Sequence, residues 1–311
     1  MNRNTIVTIT DRTYLTVVYL LLLSLKYNDV NARIKVLCVG LNDEEKKLLT
    51  QIQGVECYDG DPSNTRNPAT RKAEAILLAE HDETEYVTLL DGDGLSIGNV
   101  TPFLSPGEGF SSRIKGPQEE TNNFRQHFDE DEPLGTVPRK IMSIWQKDVG
   151  EREKSRIKNT QTSGNLTVHR SCFPFVKKWD HQMKKVLPLH NPGQPYHFDN
   201  LAYHQMDESV LNSLLAFAHE APKIIPGNLD VSSEIYIAHL GPGRPRPWTL
   251  LRKEKLQYLN LIHTLIAWGN SQGLNSPDIP WTFNKRYKFM VICAAYLHSI
   301  FVKLKNTLKA R

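Results

Sequence analysis

Two aspartates one residue apart close an apolar run at Tyr86-Val87-Thr88-Leu89-Leu90-Asp91-Gly92-Asp93-Gly94. A buried strand that ends in two carboxylates, with glycines to turn the backbone, presents hard oxygen ligands to a divalent cation. Such an ion keeps open positions for phosphate oxygens. An ordinary Asp-Gly turn has the same composition and is the plain alternative. An EF-hand loop does not fit, because it needs an acid or an asparagine where Leu95 stands. Asp59-Gly60-Asp61 repeats the pattern after a weaker strand, next to Pro62 and Ser63, and is expected to be a loop.

Four further stretches carry groups of complementary chemistry. Thr10-Asp11-Arg12-Thr13-Tyr14 ends the first apolar run, where a carboxylate can accept an amide N–H and a ring can stack on a base. It lacks the glycine-rich, basic loop that a nucleotidyltransferase would want there. Gln161-Thr162-Ser163-Gly164-Asn165-Leu166 opens a later strand. Met206-Asp207-Glu208-Ser209-Val210-Leu211-Asn212 sets two carboxylates at a helix start, where one is expected to face a ligand and the other to cap. Ile237-Ala238-His239-Leu240-Gly241-Pro242-Gly243-Arg244-Pro245-Arg246-Pro247-Trp248 puts an imidazole at a strand end, then a glycine turn and two arginines. Guanidinium groups suit a phosphate fork. Arg71 and Lys72 offer a further cation on a predicted helix.

The elements that must position these groups alternate in type over the first hundred residues. Strands are predicted at 5–10, 34–39, 55–58 and 86–90, and helices at 14–26, 43–53 with Asp43 as cap, and 69–81. This alternation predicts an α/β fold with a mostly parallel sheet and helices on both faces. Ligands bind such sheets beyond the carboxyl ends of the strands, the face that carries Asp11, Asp59–Asp61 and Asp91–Asp93. Residues 105–160 are rich in charge, proline and glycine, with one predicted helix at 139–147, and are expected to form a lid or acceptor loop. A strand at 165–169, helices at 172–186 and 209–219 and a strand at 235–239 follow, and the chain is mostly helical after Trp248.

Composition limits the rest. The 311 residues are 40% hydrophobic, enough to bury a large core. Four dispersed cysteines, with no CxxC pair, exclude a disulfide framework and fit a reducing compartment. Residues 284–311 hold seven Lys and Arg and no acid, so the remaining chain has 31 basic against 34 acidic residues, a net of −3. A main body of that charge speaks against nucleic acid as a partner. The basic tail, whose residues 287–308 mix Phe, Val, Ile, Leu and Tyr with lysines, points to an anionic membrane surface. The apolar runs at 17–23 and 289–302 are shorter than the ~20 residues that span a bilayer, so peripheral attachment at a cytoplasmic face is expected rather than a crossing anchor.

The order Asp-x-x-Tyr, Leu-x-Asp-x-Asp, Ser-Gly-Asn strand, acid-x-x-Leu-Asn helix and His-x-x-Gly…Pro-Trp resembles GT-A nucleotide-sugar glycosyltransferases. It is most similar to glycosyltransferase family eight, the glycogenin and lipopolysaccharide galactosyltransferase group. The resemblance covers roughly residues 5–250. It implies a GT-A, Rossmann-like catalytic domain over 1–250 and a helical C-terminal extension over 251–311. It further implies that Asp91, Asp93 and His239 hold Mn²⁺ or Mg²⁺ against the diphosphate of a UDP-sugar. Thr10, Asp11, Tyr14, Arg71 or Lys72, Gly92, Ser163, Gly164, Asn165, Gly241, Arg244 and Arg246 would line the donor site. Asp207 or Glu208 would lie beneath the reacting hexose, whose acceptor is a saccharide or a lipid-linked glycan. Retention of the anomer is implied. An inverting enzyme with Asp207 or Glu208 as base, and a non-catalytic relative that binds through residues 105–160, are the alternatives.

Overall fold

The computed structural model describes residues 3–61, 68–186, 202–227, 229, 236–241 and 245–309. Asn4–Asp11 (β1), Arg33–Val39 (β2), Val55–Asp59 (β3) and Tyr86–Leu89 (β4) pair in parallel in the spatial order β3-β2-β1-β4. Strands β1, β2 and β4 are buried on both faces, which is why they appear in the sequence as mostly apolar runs, whereas β3, at the sheet edge, exposes Glu56 and Asp59. Along β1, Ile6 enters one core cluster and Val7 the other. On β2, Leu37 goes to one side and Ile34, Val36 and Cys38 to the other. Phe110–Ser112 (β6), Leu166–His169 (β7) and Ile224–Pro226 (β8) extend the sheet in the order β4-β7-β6-β8, with β7 antiparallel to both of its neighbours.

Helices cover both faces. One core cluster joins the sheet to Lys72–Leu77 (α3), Arg139–Val149 (α5), Phe173–Val186 (α6) and Met206–Phe217 (α7). The other joins it to Leu15–Tyr27 (α1), Asp43–Thr50 (α2), Leu259–Ser271 (α8) and the start of Lys288–Lys309 (α9). Helix α1 is buried from Val17 through Leu25, which explains its apolar residues all round: one side meets the sheet and another α8.

Several expectations need correction. Asn42, not Asp43, caps α2: its Oδ1 accepts from Glu45 N at 2.8 Å while Glu45 Oε2 accepts from Asn42 N at 2.9 Å. The single helix expected over 69–81 is a 3₁₀ turn, Pro68–Arg71, followed by the short α3. Residues 105–160 are not a free excursion. They contribute β6 to the main sheet, a helix at Pro117–Asn123 (α4), and the buried Ile141 and Trp145 of α5. Helix α7 starts at Met206, three residues earlier than predicted, so both acids lie in its first turn. The helix of the tail extends past the apolar run 289–302 at both ends: α9 is one continuous helix of 22 residues. Among the described residues, 285–308 is the one stretch whose length and composition would allow it to cross a membrane, and 11% of its 18-residue apolar window is buried against the protein.

Two three-residue strands, Gly94–Ser96 (β5) and Ile237–His239 (β9), form a separate antiparallel pair. This pair brings the chemistry of the C-terminal half to the end of β4.

Candidate active site

In the β5–β9 pair Gly94 stands opposite His239, and Leu240 N donates to Asp93 O at 2.8 Å. This register carries the imidazole to the Asp-Gly-Asp turn. His239 Nδ1 lies 3.5 Å from Asp93 Oδ1. Asn165, at the mouth of β7, ties the group together: its Oδ1 accepts from Asp91 N at 3.3 Å and its Nδ2 donates to His239 Nε2 at 3.0 Å. Asp91, Asp93 and His239 each offer a ligand atom, all within 4.8 Å of one another. Burial pushes the Asp93 carboxyl up, but His239 and the more distant Arg246 outweigh this and hold it below the usual carboxylate range.

The donor set fits a hard divalent ion with some affinity for nitrogen. The space fits as well. A Cβ on Gly164 would stand 2.7 Å from Asp91 Oδ2 and 3.9 Å from His239 Cε1, so a side chain there would fill the place between the ligands. Gly92 is required for a different reason, since a Cβ would meet Val18 Cγ2 at 2.7 Å and Ile9 O at 2.9 Å. The turn therefore packs directly on β1 and α1.

Beside this cluster lies a cavity of about 400 Å³. Its lining includes Lys72, Asp91, Ser163, Gly164, His239 and both acids of α7, Asp207 and Glu208. The expected division of labour between the acids is overturned, because Gln205 occupies the cap position and neither acid caps. Lys72 Nζ lies 3.0 Å from Asp91 Oδ1 and 2.9 Å from Asp207 Oδ2. Ser163 Oγ donates to Asp207 Oδ2 at 2.7 Å and accepts from Lys72 Nζ at 3.2 Å. Burial alone would weaken the hold of Lys72 on its proton, but Asp207 and Asp91 outweigh it and raise the ammonium above the ordinary lysine range. Glu208 contacts Lys115 Nζ directly, and Lys115 also donates to Gln205 Oε1 at 3.1 Å. Burial raises the Glu208 carboxyl above its usual range, with Lys115 offsetting part of the effect.

Of the two cations weighed on the third helix, only Lys72 lines the cavity. Arg71 is buried elsewhere, with its Nε 2.8 Å from Glu74 Oε2 and its Nη2 against Asp61 O at 3.4 Å. Asp59 pairs with Lys46 at the surface, so the Asp59–Asp61 loop contributes no ligand to the cluster. Thr10 is buried at the end of β1. Asp11 Oδ1 accepts from Tyr14 N at 2.9 Å. The Tyr14 ring meets Trp248 edge-on, centroids 5.1 Å apart, and the Arg246 guanidinium stacks over Tyr14 at 5.2 Å and over Trp248 at 5.8 Å. Gly241 is buried against Pro247. Arg244 lies outside the described residues.

Four lining residues escape a sequence reading: Arg113, Lys115's partner Gln205, and Lys255 and Tyr258 from a 3₁₀ segment, Lys253–Tyr258, beyond the recognisable motifs. For Lys115 the ordinary signal is inverted, as Lys115 is 7% exposed while the adjacent Ile114 is 45% exposed.

No family model matches the chain, and no curated protein matches it. Solved structures do. The chain is similar to the WbbM bifunctional glycosyltransferase (12% identity, TM-score 0.56, 92% of this chain and 52% of that one), so it spans about half of WbbM. It also matches an active-site mutant of LgtC (15% identity, TM-score 0.47, 78% of this chain and 89% of that one). A further match is the glycosyltransferase GlyE of Streptococcus pneumoniae TIGR4 (14% identity, TM-score 0.47, 89% and 65%). At these identities the likeness is one of fold: the chain has the mostly parallel α/β architecture of GT-A glycosyltransferases.

Proposed function

We propose that the protein is a metal-dependent glycosyltransferase that moves a hexose from a nucleoside diphosphate sugar, UDP-linked, to a saccharide or lipid-linked acceptor with retention of the anomer. The observation that carries this reading is the convergence of Asp91, Asp93 and His239 within 4.8 Å, beside a cavity lined by Lys72, Asp207 and Glu208. Mn²⁺ or Mg²⁺ held by the three ligands would neutralise the diphosphate as it leaves.

The remaining work falls to the side chains. Tyr14, Trp248 and Asp11 form an aromatic and carboxylate corner suited to a base and its amide N–H. Lys72 and Ser163 hold Asp207 in one orientation at the cavity wall. A carboxylate fixed this way is preorganised to stabilise the positive charge that grows on the anomeric carbon. Both donors contact the same oxygen, Oδ2, and fix the carboxylate at the wall, which favours an electrostatic role and retention. Glu208, whose carboxyl is raised by burial, is the group that supports the second reading. As a general base toward an acceptor hydroxyl it would give inversion.

A panel of nucleotide sugars with Mn²⁺ tests the proposal. UDP release from one hexose donor, lost in Asp91→Asn and Asp93→Asn, is expected. The anomer of the product, read by NMR, separates retention from inversion. Release from no donor, with nucleotide binding intact, would overturn the catalytic reading in favour of a binding module.

We further propose that α9 docks on anionic lipid. Phe289, Leu297, Phe301 and Leu308 are 79%, 67%, 64% and 73% exposed. With Met290, Ile300 and Leu304 they form one stripe at helical spacing, bordered on its two sides by Lys303 and Lys305. Flotation with vesicles of phosphatidylglycerol and phosphatidylcholine, but not phosphatidylcholine alone, is the expected result. Equal recovery with both would refute it.

A further inference from the structure

The charges around the cavity can be paired off. Lys72 is taken by Asp91 and Asp207 and Glu208 by Lys115, while Asp93 faces His239 at 3.5 Å. Arg113 holds Glu119 through two contacts of 2.6 and 3.0 Å. Lys255 is different. It is half-buried in the cavity lining, and no side-chain hydrogen bond or ion pair joins it to any described residue. Burial disfavours its ammonium, and Glu254 and Asp93 act on it only from beyond contact distance. A partly desolvated cation without a counter-ion is costly, and the cost disappears when an anion enters.

Arg246, the cation first assigned to the phosphates, is committed elsewhere. It lies over Tyr14 and Trp248 and is absent from the cavity lining. We propose that Lys255 is the residue that receives the leaving diphosphate, reaching the metal cluster from the C-terminal extension, while Arg246 serves the base corner. This rests on the diphosphate-sugar reading above.

The position of Lys255 is held from both ends and from behind. Leu251 and Leu259, which flank its 3₁₀ segment, are buried. The segment packs on α9, where Lys253 Nζ lies 4.6 Å over the Tyr296 ring. The backbone that carries Lys255 is thus fixed before any ligand arrives, and only its side chain has to turn toward the diphosphate.

Calorimetry of the full chain with inorganic pyrophosphate in the presence of Mn²⁺ provides the test, with Mn²⁺ alone as the control. Lys255→Met is expected to weaken pyrophosphate binding by about tenfold or more, as befits the loss of a charge-assisted contact. Lys255→Arg should retain most of the affinity, and Mn²⁺ binding alone should be unchanged in both. Arg246→Met, which removes a charge that acts on Asp93 from a distance, should weaken pyrophosphate binding less than Lys255→Met does. Wild-type affinity in Lys255→Met, or a larger loss in Arg246→Met, overturns the assignment and leaves the glycosyltransferase reading standing. A wild-type protein that binds no pyrophosphate with Mn²⁺ overturns both.

Discussion

Gly94 and His239 face each other across the β5–β9 pair, and there is no room between their strands for a side chain on the first. A Cβ on Gly94 would stand 2.9 Å from Ile237 Cγ2 and 3.1 Å from Asp91 O. Gly94→Ala must therefore push β9 away from the turn or distort the turn itself, and either movement separates His239 from Asp93. The expected outcome is a protein that still folds but binds Mn²⁺ about tenfold more weakly, the size of effect seen when metal ligands lose their orientation. Titration of the variant with Mn²⁺ checks this, and unchanged affinity would show that the register does not set the ligand geometry.

Lys72 is the keystone of the charges in the cavity. Its side chain is 9% exposed and bridges two carboxylates. Lys72→Met removes one cation and leaves two half-buried anions facing each other, which costs about 2 kcal/mol. Urea denaturation should show that loss. Mn²⁺, by supplying positive charge to Asp91, should restore more stability to the variant than it adds to the wild type. Equal stabilisation of both proteins would place Asp91 outside the ion's reach.

The parts of the site that the sequence made legible share a physical cause. Asp11 ends β1, and Asp91 and Asp93 follow β4, two strands whose burial on both faces writes a run of apolar and threonine residues, so their ends could be located to within a residue or two. Ser163, Gly164 and Asn165 were found in the same way, just ahead of β7. The pairing of β5 with β9 was not legible, because three residues are too few for a periodic signal and their register depends on the whole intervening chain. Lys115 was hidden by a local reversal, a buried lysine next to an exposed isoleucine. That arrangement makes sense only once Glu208 is known to lie opposite. Lys255 was hidden because nothing in 253–258 differs from an ordinary charged turn until its packing against α9 is seen.

His204 supplies a pH dependence. It is 9% exposed, its Nδ1 has no partner among the described residues, and its ring meets Phe124 edge-on with centroids 5.2 Å apart. Burial first, then the charges of His127 and Lys115, push its pKa down to about 4 from 6.5. The unfolded chain therefore binds the proton between those values while the native protein does not. Its contribution to stability is complete above pH 6.5 and is lost as pH falls toward 4, by roughly 3 kcal/mol over the window. Urea midpoints measured from pH 7 to pH 4 should fall more steeply in the wild type than in His204→Leu. Parallel slopes would mean that the imidazole is solvated.

The two faces of α9 lead to the last prediction. Val291 and Ala295 are buried against the body, near Phe283, whereas Phe301 and Leu304 project away from it. The inner face braces the Lys253–Tyr258 segment and, through it, Lys255; the outer face is the one proposed to meet lipid. A double variant, Phe301→Glu with Leu304→Glu, introduces two anions into the stripe without touching the inner face. It should lose recovery on phosphatidylglycerol vesicles and keep wild-type affinity for pyrophosphate with Mn²⁺. A chain ending at Trp281 removes both faces at once and should lose both properties, because the segment that carries Lys255 then has nothing behind it. If the truncated chain binds pyrophosphate as tightly as the full one, α9 is a membrane device only, and the cavity owes it nothing.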